Sequence, residues 1–269
     1  MNRAVLGLAT DRGVLVLKPG AEATEYVVNS QGLLNRRCLC LVRAGDGRLA
    51  AGTEDFFVQL SKEGLEWKAS LEGLTRPNVT ALARHPKHPQ LLFAGTSSPA
   101  VFMSSDNGGN WKQLGVLESL PSVTRWTARK APYRAKISSL VCHPEHAGVL
   151  FAAIEIGGIA ASKDGGKTWI SRDHGIVPDV RLLAAPPVAG RLYAGTATGF
   201  YRTDDLGGNW VEKMKGIPYR QVRALAYASS NPDLVLMSVY GRDDGLCGLV
   251  QRCDGGETWT VTAEGLPRL

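Results

Sequence analysis

Residues 104–111 read Ser-Ser-Asp-Asn-Gly-Gly-Asn-Trp, and the chain rewrites that phrase at 162–169 (Ser-Lys-Asp-Gly-Gly-Lys-Thr-Trp), 203–210 (Thr-Asp-Asp-Leu-Gly-Gly-Asn-Trp) and 252–259 (Arg-Cys-Asp-Gly-Gly-Glu-Thr-Trp). Self-similarity of this kind means that one supersecondary unit is copied and that no copy buries its apolar face alone. Each conserved type in the phrase has a mechanical task. Asp106, Asp164, Asp205 and Asp254 accept hydrogen bonds from backbone amides further along and fix a turn. Gly108, Gly166, Gly207 and Gly256 supply the positive φ that the turn needs. The rings of Trp111, Trp169, Trp210 and Trp259 are then placed to be buried between neighbouring units.

The flanks repeat as well. Ahead of each phrase come an alternating apolar run, a turn with Pro or Gly, a short apolar run ending in small residues or Thr, and another short run that feeds the Asp turn. Runs of four to seven residues, rich in β-branched and aromatic types and punctuated by Gly, Pro, Asn and Asp, predict four short strands per unit, here named a to d. The full units span 37–74, 78–120, 136–176, 179–217 and 221–266; the first of these has only a worn phrase at 61–67. An N-terminal piece at 4–29 matches strands b, c and d and lacks a.

These phrases resemble Asp-box (BNR) repeats of the WD40/YVTN/BNR-like group, found in sialidase-like propellers, in sortilin-type receptors and in propellers of the photosystem II assembly-factor type. The resemblance covers nearly the whole chain. It implies an all-β fold, a six-bladed β-propeller of four-stranded antiparallel blades whose first blade lacks its innermost strand, with the boxes structural. With only 267–269 left after the last repeat, the ring is expected to close by packing of blade faces, without a shared strand. It also offers two functions. One is a non-catalytic binding or assembly scaffold; the alternative is a sialidase-like exo-glycosidase, which would need an arginine cluster, a Tyr–Glu pair and an Asp acid. Tyr219, Tyr240, Glu155 and Asp243 are the available pieces. The aromatic-Arg-Ile-Pro signature of that family is absent, its nearest approach being Thr75-Arg76-Pro77, and no two carboxylates occupy equivalent loop positions as an acid–base pair would. No catalytic residue is therefore assigned.

Composition fits one domain over 1–269, with 44% hydrophobic residues for a core between blades. The longest apolar runs fall short of a membrane span, and Asp11 and Arg12 interrupt any leader-like stretch, so a cytoplasmic protein is expected. The five cysteines form no framework spacing and are expected to be free, mostly buried thiols. His85 with His88, and His143 with His146, sit in a–b turns and read as repeat punctuation, with no metal or other cofactor implied.

Net charge is +6. That balance is too mild to argue for a specific nucleic-acid partner, but the placement of the basic residues is informative. In a propeller the d–a and b–c connections share one face, and Arg37, Arg76, Arg134, Arg181, Arg220 and Arg223 gather where d–a connections enter strand a. Together with Tyr219 they are expected to form a basic mouth for an anionic ligand or an acidic protein surface, although exposed loops carry arginine for solubility too. The d–a connection 112–134 is the longest and holds Trp126 and Tyr133 among basic residues. A long loop on a rigid scaffold is a place for a contact, and equally for a cover over a blade seam.

Overall fold

The computed structural model describes residues 5–22, 25–127, 135–146, 148–217, 220–241 and 247–263. Its first sheet is β1 (Leu6–Thr10), β2 (Gly13–Pro19) and β3 (Tyr26–Gly32), in that order. The second holds β4 (Cys38–Arg43), β5 (Leu49–Thr53), β6 (Val58–Ser61) and β7 (Lys68–Ser70); the third holds β8 (Val79–Arg84), β9 (Leu92–Thr96), β10 (Val101–Ser104) and β11 (Lys112–Leu114). The fourth holds β12 (Ile137–Cys142), β13 (Leu150–Ile154), β14 (Gly158–Ser162) and β15 (Ile170–Ser171). In the fifth lie β16 (Val180–Ala184), β17 (Leu192–Thr196), β18 (Phe200–Thr203) and β19 (Val211–Glu212), and in the sixth β20 (Gln221–Ala228), β21 (Asn231–Tyr240), β22 (Cys247–Arg252) and β23 (Thr260–Ala263). Every sheet is an antiparallel meander taken in sequence order. The fold class is the six-bladed β-propeller, with only three strands in the first blade.

Residue choice explains the strands. The b strands β5, β9, β13 and β17 read LAAGT, LFAGT, LFAAI and LYAGT and are buried at every position. Small residues keep that layer thin. β1 carries the same pattern, LGLAT, yet its first three residues are exposed, and among the described residues it pairs with β2 alone. Each a strand is interrupted by a bulge after its first or second residue, between Cys38/Cys40, Val79/Ala81, Ile137/Ser139, Val180/Leu182 and Val222/Ala224. The extra residue sharpens the local twist where the strand leaves its loop.

The chain forms two compact units, Met1–Leu114 and Gly115–Leu269. In the first, Val14, Val16, Leu49 and Ala51 form a core against which Trp67 packs, and Val58, Leu60, Val79, Phe102 and Trp111 form another. In the second, Phe151, Ile159, Leu192, Tyr201 and Trp210 pack together, as do Tyr193, Phe200, Met237 and Val250 with Trp259 against them. Trp259 meets Phe200 edge-on at 5.1 Å.

The c–d turns work as their residues dictate. Asp106 Oδ1 accepts from Ser104 Oγ at 2.7 Å, Gly109 N at 2.8 Å and Asn110 N at 2.9 Å, while the Ser104 hydroxyl accepts from Gly108 N at 2.8 Å. The same net recurs around Asp164 with Ser162 and Thr168, and around Asp205 with Thr203 and Asn209. At Asp254 the hydroxyl is replaced by Arg252, which reaches the carboxylate at 3.3 Å. Burial alone would raise the Asp106 carboxyl, but hydrogen bonds from Asn110, Ser104 and Gly109 outweigh it and hold the pKa at about 2. The tryptophans then latch one blade to the one before it: Trp111 Nε1 donates to Ser70 Oγ, Trp210 Nε1 to Arg172 O and Trp259 Nε1 to Lys213 O, at 2.7–2.8 Å. Trp169 is buried too, but its Nε1 has no partner among the described residues.

The histidine pairs are turn residues. His85 Nδ1 accepts from the amides of Lys87 and His88, and His143 Nδ1 accepts from that of Glu145. Among the described residues no cluster of His, Cys, Asp or Glu could hold a metal ion. Both buried imidazoles are pushed below 6.5, first by burial and then by the neighbouring His88 or His146. In the unfolded chain they protonate near 6.5, so below that pH the unfolded state binds more protons and stability falls. We expect the thermal midpoint to hold above about pH 6.5 and to drop as pH falls below it; a flat midpoint down to the carboxylate range would contradict the buried neutral state.

Cys38, Cys40, Cys142 and Cys253 are free thiols. Burial pushes the first three up to about 11 or 12, which leaves them protonated and unreactive at neutral pH. No helix among the described residues is long and apolar enough to cross a membrane.

Candidate interaction surface

Because strands alternate in direction, the a–b and c–d turns of a blade lie at one end and the b–c and d–a connections at the other. Of the arginines expected at the latter end, Arg37, Arg76, Arg181, Arg220 and Arg223 fall within the described residues, and most of these are committed to local partners. In the first unit Arg37 Nε bonds Asp11 at 2.8 Å and its Nη1 lies 3.6 Å from Glu54. The hydrogen bond and charge of Asp11 raise its pKa. Arg76 donates to the carbonyls of Ser98 and Pro99 and so braces the b–c turn of its own blade.

In the second unit Arg181 is three-quarters enclosed or more, at 15% side-chain exposure; its guanidinium bonds Gln221 Oε1 at 3.2 Å and lies 3.7 Å from Asp179. Arg220 reaches Glu212 at 3.4 Å and is largely exposed. Arg223 stands over the Tyr240 ring at 5.5 Å and has no ion pair among the described residues. Arg181 and Gln221 thus bring together the innermost strands of the last two blades, with Arg220 and Arg223 following in the same strand and its approach. Arg134, Tyr219 and Asp243 lie outside the described residues. Glu155 is buried in its b–c turn, where its amide donates to Lys136 O.

Carboxylates within reach of Arg37, Arg181 and Arg220 reduce the field that a basic mouth would project, since a paired charge acts at distance only through what its partner leaves uncancelled. Arg223 has no such partner among the described residues.

Trp126 is half-buried. The connection tightens into 3-10 turns at Leu117–Ser119 and Pro121–Arg125, Trp126 Nε1 donates to Ser122 Oγ at 3.2 Å, and the indole edge lies over Gly157, where a Cβ would come within 3.0 Å of it. The ring therefore covers the b–c turn of the fourth blade and still offers part of its surface.

One feature of this end was missed in the sequence. Phe56, in the b–c turn of the second blade, is 44% exposed, and the Arg36 guanidinium stacks on its ring at 4.0 Å. Leu34, two residues before Arg36, is 60% exposed. Left-handed backbone at Leu33, Asn35, Asp55 and Phe57 shapes both turns, and the Asn78 side chain fixes the Asp55 amide at 2.7 Å. Such φ values in non-glycine residues are costly and persist where surrounding structure imposes them. The available signal was the Phe56-Phe57 pair inside a turn, where two large apolar residues have no strand to serve.

No protein-family model matches the chain, and no curated protein matches it in sequence. Among solved structures it is similar to an ancestral GH74 enzyme (TM-score 0.67, 15% identity over 86% of this chain) and to the GH74 enzyme of Niastella koreensis (0.65, 15%, 83%). The chain spans about a third of the length of those enzymes, 32% and 36%. It is also similar to YCF48 from Cyanidioschyzon merolae (TM-score 0.65, 17% identity, covering 95% of this chain and 80% of that one) and to YCF48 bound to D1 peptide (0.64, 16%, 94% and 75%). At these identities the likeness concerns the fold: all of them share the propeller architecture with this chain.

Proposed function

We propose that this chain is a non-catalytic propeller of Asp-box (BNR) repeats that binds a protein segment through the b–c and d–a ends of its blades. The observation that carries the reading is the exposed Phe56 ring capped by Arg36, beside the exposed Leu34. Exposed aromatic and arginine side chains placed together supply the apolar area and charge that interface hot spots use. Within the second unit, Arg223 over Tyr240, the exposed Arg220 and the open part of Trp126 offer contacts of the same chemistry. An acidic partner segment suits the net charge of +6. The fold likeness to YCF48, one example of which is solved with a D1 peptide, supports a peptide-binding role without naming the partner here.

The test is affinity purification with the wild-type chain, followed by binding kinetics of the recovered partner. Phe56→Ala is expected to weaken binding by about tenfold or more through faster dissociation, and Arg223→Glu to slow association in a manner that fades with added salt. Arg181→Glu and Trp126→Ala should also bind poorly, and their melting curves report how much of that comes from lost packing. Wild-type kinetics in all four variants, or turnover of aryl glycosides by the purified chain, would overturn the reading.

A further inference from the structure

Five blades show what belongs at an edge that the first blade leaves bare. Their sheets run a to d, whereas β1, the b strand of the first blade, pairs with β2 alone. None of its backbone groups has another partner among the described residues. β1 is a b strand in detail as well. Thr10 Oγ1 donates to Gly13 O at 2.8 Å, as Thr196 Oγ1 does to Gly199 O at 2.9 Å, each closing its b–c turn. Gly7 faces Leu41 of β4, near enough that a Cβ would come within 2.6 Å of that leucine. Leu6 and Leu8 therefore point to the other face. They are 40% and 44% exposed, where their counterparts Leu192 and Ala194 are buried.

The strands that fill this place elsewhere share a signature. Strands β4, β8, β12, β16 and β20 contain CLCL from Cys38, VTAL from Val79, ISSL from Ile137, VRLL from Val180 and VRAL from Val222. An apolar residue comes first and a leucine fourth. The first is buried in all five blades. On an unbroken strand residues three apart point to opposite faces, but the bulge inside each quartet corrects this. Val79 lies opposite Thr96 and Leu82 opposite Ala94, two apart on the b strand and so on one face; Val180 and Leu183 lie opposite Thr196 and Ala194 in the same way. In β1 the corresponding positions are Thr10 and Leu8.

Among the described residues each such quartet is already paired within its own blade. Residues 1–4 are too few for both a turn and a strand, and 264–269 are shorter than the connections 71–78 and 172–179 that precede β8 and β16. A second copy would offer only another β1, which pairs in unbroken register and has neither bulge nor quartet. An unpaired edge presents main-chain donors and acceptors in the spacing of another strand. We propose that a separate protein supplies an extended segment with an apolar residue and, three places on, a leucine, and that this segment adds to β1 as strand a of the first blade. Binding at this edge does not require the loop-end surface around Phe56.

The probe is a synthetic peptide copying residues 78–84, Asn-Val-Thr-Ala-Leu-Ala-Arg, and its control carries Val79→Asp with Leu82→Asp. Hydrogen exchange is followed by NMR on the full chain. The amides of 6–10 that point away from β2 are expected to exchange freely without peptide and about tenfold more slowly with it, while the control peptide changes nothing. The thermal midpoint should rise with the first peptide alone, as it does for a ligand of the native state. Leu8→Lys, at an exposed position, should weaken binding about tenfold by setting a charge against the apolar partner. Leu65→Lys, also exposed but in the second blade, should bind the peptide as the parent does. Protection of those amides in the free chain would overturn the proposal, whether it grows with protein concentration, as pairing with a second copy would, or vanishes on deletion of 264–269, as cover by that segment would. Unchanged exchange at 6–10 with peptide present, or equal binding by Leu8→Lys and the parent, would overturn it too.

Discussion

Trp210→Ala is expected to lower the unfolding free energy by roughly 3–5 kcal/mol, the usual cost of deleting a buried large aromatic. The ring is 2% exposed, packs among Phe151, Leu192 and Tyr201, and donates its Nε1 proton to Arg172 O at 2.8 Å. Removing it leaves a cavity between two blades and a carbonyl without its donor. Since small domains keep only about 5–15 kcal/mol in all, a loss on this scale should be plain in the denaturation midpoint. Trp210→Phe keeps most of the apolar area and loses the hydrogen bond, so it should cost about 1–3 kcal/mol. If both variants cost under about 1 kcal/mol, the latch contributes nothing and the blades are held by the strand layers alone.

A comparable loss is expected where no side chain is removed. Gly73 has a φ of 80° and sits against the Trp111 carbonyl of the next blade, while the neighbouring Glu72 carbonyl accepts from Trp111 N at 2.8 Å. Any Cβ at 73 would collide with that backbone oxygen, which cannot swing aside as a flexible side chain would. Gly73→Ala should therefore cost about 3 kcal/mol, combining a left-handed non-glycine residue with overpacking at the seam. Gly47 is the control: its φ is 87° and a Cβ there meets open space, so Gly47→Ala should show the conformational cost alone. Equal losses at the two positions in a urea titration would show that the close approach at Gly73 is unimportant.

The blades were legible because their determinants are local. Alternating apolar runs, the small-residue b strands and the Asp–Gly–Trp turns each state their conformation within a few residues, and the missing strand a of the first blade showed as a missing run. What joins the blades was less legible. Trp210 and Trp259 donate to backbone carbonyls, and an acceptor such as Arg172 O or Lys213 O leaves no mark in the residue that bears it. Gly73-Leu74, Gly175-Ile176 and Gly216-Ile217 do recur after the d strands, but their meaning depends on which backbone lies opposite.

The candidate site illustrates the same limit. Arg37, Arg181 and Arg220 were singled out from their position ahead of or within strand a, yet their partners Asp11, Asp179 and Glu212 reduce the free charge, and the pairing of Arg37 with Asp11, 26 residues away in sequence, depends on the meander bringing the first hairpin beside the second blade. Phe56 stands out only when its ring is seen outside the core with Arg36 on it. Trp126 divides between the two roles open to it, covering the Gly157 turn and keeping part of its ring in solvent.

Each described blade is built from one continuous stretch of chain, and among the described residues no strand is lent from one sheet to another. Among the described residues the hydrogen-bond ladder of each blade is therefore made within its own repeat, and what crosses a seam is side-chain packing, a tryptophan latch and a few backbone contacts. A duplication or deletion of one repeat would add or remove a whole blade while leaving every other ladder intact, with only the faces on either side left to adjust. For such a chain, change in blade number is an accessible step in gene rearrangement, and the number of blades is a looser inheritance than the construction of any one of them.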